Sequence, residues 1–90
     1  MSAAAARRSL LDLRQNETGI LDRIDLPQDL AHRLMHLGFL PGMSVEAARS
    51  APLGDPRVFR VDGSEVALRR ETAACLILRP FDSNPGPARP

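Results

Sequence analysis

The sequence predicts a mainly β domain, a small barrel of five or six short strands with one short α-helix. Three observations carry this expectation. Apolar and polar residues alternate with period two over 18–25, 43–48 and 65–69, the pattern of half-buried strands. A single stripe, Leu26, Leu30, Leu34 and Leu37, has the spacing of an amphipathic helix. Gly, Pro, Asn and Asp then punctuate the chain often enough that no segment is long, which suits a barrel better than a parallel sheet. With 43% hydrophobic residues but no Trp, no Tyr and only three Phe, the core must be aliphatic.

In chain order, residues 1–8 and 82–90 read as disordered tails, the first an Ala run closed by two Arg, the second rich in Pro. The 90-residue chain therefore holds one domain, 9–81. Residues 9–13 form a short apolar piece, the first strand. Residues 18–25 alternate Ile20, Asp22 and Ile24 against Leu21, Arg23 and Asp25, and make the second. Pro27 suits the first turn of the helix and Gly38 its end; the helix is expected to cap one open end of the barrel. Met43, Val45 and Ala47 then alternate with Ser44, Glu46 and Ala48. Residues 58–61 precede Asp62-Gly63, a dipeptide suited to a type I′ hairpin turn because both central positions need positive φ. Val66 and Leu68 face one way in the next strand, a turn spans 70–73, and 75–79 is the last strand.

Composition removes several function classes. Twelve basic and eleven acidic residues give a net charge of +1, too little to draw the chain to nucleic acid or an anionic membrane. All twelve basic residues are Arg, a bias that GC-rich coding produces without any functional meaning. One cysteine, Cys75, rules out an internal disulfide or a cysteine-cluster metal site within one chain, and its apolar setting makes it a small core residue. No apolar run approaches the ~20 residues of a membrane span, and none follows Arg7 and Arg8 as a signal peptide would require, so no membrane insertion and a cytoplasmic location are expected. Without a Lys-bearing phosphate loop or a nucleophile context, no catalytic residues are expected and the chain is read as a non-enzyme.

Two hexapeptides stand out. In Leu37-Gly38-Phe39-Leu40-Pro41-Gly42, Gly38 ends the helix and Pro41-Gly42 supplies a type II turn. Phe39 and Leu40 must then either plug the barrel end or stand exposed as a partner site. Ala51-Pro52-Leu53-Gly54-Asp55-Pro56 is a stiffened loop with an apolar tip, Leu53, and such a loop loses little entropy on docking. Asp29, His32 and His36 fall on one helical stripe with Arg33 beside them, which reads either as a solvated face with an Asp29–Arg33 ion pair or as part of a metal site.

Those hexapeptides, followed in order by Ala67-Leu68-Arg69 and Glu71-Thr72-Ala73, resemble the pattern of the FeoA family over nearly all of residues 9–78. One departure is Asn16, at a turn where similar chains carry Gly; Asn tolerates the left-handed region, so the turn should survive. The resemblance implies an SH3-like barrel and a cytoplasmic accessory role in bacterial ferrous iron uptake. Its implied partner is FeoB, a membrane ferrous iron transporter with a cytoplasmic GTP-binding domain. Docking through barrel loops would then modulate assembly or GTP-linked transport, with Phe39, Leu40, Pro41, Leu53 and Asp55 as contact residues, recruiting the chain to the inner face of the membrane. The alternative is a metal-responsive SH3-like regulatory domain that binds zinc or iron through His32, His36 and Asp29 at a homodimer interface. The first reading requires no cofactor, and neither involves nucleic acid.

Overall fold

The computed structural model describes residues 8–80; the remainder of the expected tails, and Phe81, lie outside the described residues. Nine short elements follow one another: β1 (Arg8–Ser9), a 3-10 turn (Leu10–Asp12), β2 (Thr18–Ile24), α1 (Gln28–His36), β3 (Ser44–Ser50), β4 (Arg57–Val61), β5 (Ser64–Leu68), the single-turn α2 (Arg70–Ala73) and β6 (Leu76–Leu78). All strand pairs are antiparallel, in the order β1-β6-β2-β3-β4-β5. The sheet curls around a core of Phe39, Phe59, Leu10, Leu13, Leu21, Leu76, Leu78, Val45 and Val61, each essentially without solvent exposure. The fold is the mainly β barrel that the alternation predicts, of the SH3-like kind that the resemblance implies.

Local chemistry moves several boundaries. Of the first apolar piece only Ser9 is strand, and it pairs into β1 with Arg8, so the strand begins inside the expected tail. The Ser9 hydroxyl accepts from the Leu11 N–H at 3.2 Å, and the Asp12 carboxylate accepts from the Ser9 N–H at 2.8 Å. This reciprocal bracket winds 10–12 into a helical turn instead of continuing the strand. At the other end, 70–73 is a helical turn, and Cys75 lies in the turn that follows it rather than in the last strand. There Cys75 is only partly buried, with its Sγ 3.6 Å from the Glu71 carbonyl oxygen.

Two bulges break the simple alternation. The register shifts between Ala47 and Arg49 of β3, so Ala47 and Ala48 are both buried although period two would send Ala48 outward. A second shift lies between Leu21 and Arg23 of β2. The turns behave as their residues dictate: Asn16 adopts φ 73°, and Asp62 and Gly63 adopt φ 51° and 79°, both positive as a type I′ turn requires. A Cβ built at Gly19 would lie 2.8 Å from a Leu78 methyl, so β6 packs directly on that backbone.

The helix α1 departs most from expectation. Ala31 and Leu34 are its buried residues, whereas Leu30 and Leu37 are 41% and 46% exposed. Half of the predicted leucine stripe therefore looks out of the barrel.

Candidate interaction surface

The segment 37–42 is built by its two glycines. The Gly38 N–H donates to Met35 O at 2.9 Å and the Phe39 N–H to Leu34 O at 3.1 Å, a bonded pair that closes the helix around Gly38 at φ 111°. A Cβ at Gly38 would sit 3.1 Å from the Asp62 Cβ, so the helix end packs tightly on the β4–β5 hairpin. This contact turns Phe39 into the core, where it has no exposure, and so removes it from the set of partner contacts. Leu40 remains 43% exposed. It opens a type II turn in which the Met43 N–H donates to Leu40 O at 2.9 Å across exposed Pro41 and Gly42, the latter at φ 93°.

The loop 51–56 is tied across its base and again at its tip. The Ala51 N–H donates to Pro56 O at 2.9 Å, and the Gly54 N–H to Ala51 O at 2.7 Å. Leu53 stands at the tip with 95% of its surface exposed. Asp55 is exposed too, but its Oδ1 accepts from the Arg70 N–H at 3.0 Å and so holds the first turn of α2 from fifteen residues away. Its carboxylate thus serves the fold.

The two loops do not form one patch. Leu40 precedes β3 and Leu53 follows it, and a seven-residue strand spans about 23 Å at ~3.3 Å per residue. The contact residues expected from the sequence thus divide into a Leu40–Pro41 end and a Leu53 end.

On α1, Asp29, His32 and His36 are all exposed on the face away from the core. They do not gather into one three-membered cluster. Asp29 and His36 are seven positions apart, about 10.5 Å along the axis at ~1.5 Å per residue. Among the described residues no three His, Cys, Asp or Glu side chains come together to hold a metal. The Asp29–Arg33 ion pair suggested by the spacing is also missing from the ion pairs among the described residues. Exposed Leu30 and Leu37 open instead on a groove of about 270 Å³ between α1 and the end of β5, with Arg33 and Arg69 also lining it.

Arg57 was not singled out by sequence reasoning. From β4 its guanidinium donates to Leu11 O at 2.9 Å and to Leu13 O at 2.5 Å, and lies 5.4 Å from the centroid of the Phe59 ring. A signal existed: Arg57 shares its strand parity with buried Phe59 and Val61, an inward position for a charge. On the outer face, Arg60 bridges Glu46 at 3.3 Å and Glu65 at 3.2 Å, and Arg49 reaches Glu65 at 3.0 Å. The hydrogen bond from Arg49, helped by the positive charges of Arg49 and Arg60, holds the Glu65 carboxyl below the usual glutamate range.

Among the described residues no helix is long and apolar enough to cross a membrane. A family model described as FeoA domain matches residues 8–80. The Fe(2+) transport protein A/Fe(2+) transporter FeoB fusion protein of Porphyromonas gingivalis is 29% identical over 75 residues, which are 83% of this chain but 9% of that much longer protein. The solution structure of the FeoA protein of Chlorobium tepidum superposes with a TM-score of 0.77 at 25% identity, covering 92% of this chain and 81% of that one. The zinc complex of Stenotrophomonas maltophilia FeoA, described as a prokaryotic SH3 domain protein and a candidate activating factor for ferrous iron transport, gives a TM-score of 0.68 at 27% identity. It covers 79% of this chain and 88% of that one.

Proposed function

The chain belongs to the FeoA domain family, and from that premise we propose that it is a cytoplasmic accessory protein of ferrous iron uptake that docks on a FeoB-like transporter. The observation that carries this reading is the fusion relative, in which a segment similar to this chain is joined covalently to a FeoB transporter. Fusion makes an encounter intramolecular and raises the effective concentration of the two parts.

The loop 51–56 is the proposed contact. Its backbone is closed by two hydrogen bonds and its apolar tip is 95% exposed, so docking would bury Leu53 without ordering a flexible segment. In this reading the GTP chemistry belongs to the transporter, and the accessory chain biases its assembly or activity by binding one of its states.

Co-purification of the full chain with the transporter tests the proposal. Wild type should be retained and Leu53→Asp should not, while Leu40→Asp, at the far end of β3, should bind as wild type does. Retention of Leu53→Asp removes the loop assignment. Failure of wild type to bind removes the transporter.

A further inference from the structure

The strand β5 ends the sheet order, so it has a neighbour on one side only. All five of its residues pair with β4, and among the described residues no other backbone hydrogen bond reaches Ser64–Leu68. An edge strand in this condition presents a row of backbone donors and acceptors. The groove beside it touches both Ala67 and Leu68. Successive side chains of a strand point to opposite faces, so an opening that touches both reaches the edge of β5 at its C-terminal end rather than lying over one face. Across the groove stand Leu30 and Leu34 of α1 and Leu37 at its end. At its sides are Arg33 and Arg69, both exposed and neither in an ion pair among the described residues.

We propose that the slot between the edge of β5 and α1 receives an extended segment of a partner protein. The segment adds a strand to β5, sets alternate apolar side chains against Leu30, Leu34 and Leu37, and carries acidic residues that meet Arg33 and Arg69. Main-chain bonds supply affinity in this mode and the apolar wall supplies selectivity. A helical ligand would fill the groove but leave the β5 backbone unpaired. Arg69 also lines a small recess with Asp55 and Pro56, so the slot adjoins the base of the 51–56 loop. A partner resting on Leu53 is placed to feed a segment into it. The inference does not depend on that partner being a transporter.

The test uses the full chain and a fluorescein-labelled seven-residue peptide with glutamate at each end and alternating valine and threonine between. Anisotropy should saturate with a dissociation constant below about 1 mM. Slowed amide exchange should be confined to Ser64–Leu68, and NMR shifts should appear at the Leu30 and Leu37 methyls. Arg69→Glu, an exposed change whose fold is checked by circular dichroism, should weaken binding by about tenfold or more, as should N-methylation of alternate peptide bonds in the probe. No saturable binding, equal binding of the N-methylated peptide, or protection elsewhere on the barrel overturns the slot. A negative co-purification with the transporter leaves this result untouched, so the two failures are distinguishable.

Discussion

Phe39 and Leu40 are adjacent apolar residues on one connection, and their environments are opposite. Gly38, pressed to 3.1 Å from the Asp62 side chain at its virtual Cβ, aims the chain so that Phe39 enters the core and Leu40 stays half exposed. The sequence left open for both residues whether they plug the barrel end or stand exposed, because that choice rests on a contact with a hairpin more than twenty residues downstream. Replacing Phe39 by Ala should cost about 3–5 kcal/mol in urea unfolding, the penalty of an aromatic-sized cavity. That is a large share of the ~5–15 kcal/mol available to a small domain. Leu53→Asp should shift stability by no more than about 0.5 kcal/mol, because a side chain 95% exposed has no packing to lose.

Among the elements, α1 shows where periodicity stops being informative. Leu26, Leu30, Leu34 and Leu37 define an apolar arc, but an arc does not state how much of itself the neighbouring strand covers. The structure buries Leu34 and leaves Leu30 and Leu37 along an open groove. The histidine stripe was legible as a stripe, and simple helix rise is what separates Asp29 from His36. Across β3, β4 and β5 the ladder Glu46–Arg60–Glu65–Arg49 depends on strand register and on the β3 bulge, neither of which the sequence displays. Its pH behaviour has a definite sign. The Glu65 carboxyl is held below its ordinary range by Arg49 and Arg60, so its contribution is present above the unfolded value near ~4.3 and is lost as the pH falls through the lower folded value. Thermal melts should show wild type above Glu65→Gln at neutral pH, with the difference shrinking below about pH 4. A difference that grows on acidification would contradict the assignment.

For the molecule as a whole, the question is how an open strand order becomes a barrel. Arg57 spans the gap, carrying β4 to the carbonyl oxygens of Leu11 and Leu13. Lysine cannot present two parallel donors in this way. Arg57→Lys should therefore destabilise by about 1–3 kcal/mol on chemical denaturation and hasten amide exchange around the 3-10 turn, since charge-assisted bonds to part-buried carbonyls are lost. Unchanged exchange there would mean that packing alone closes the barrel. By itself the sequence determined the strand periods, the turn types at Pro41-Gly42 and Asp62-Gly63, the aliphatic core and the ordered motifs of the family. These are properties of near neighbours, set by backbone sterics and by alternation. Only the tertiary structure decided which apolar groups reach solvent, that Leu40 and Leu53 lie at opposite ends of β3, that Asp55 serves α2, and that β5 keeps a free edge beside α1. Each of these depends on the register and packing of residues distant in the chain, where small differences in burial and hydrogen bonding select among arrangements that local preference leaves equal.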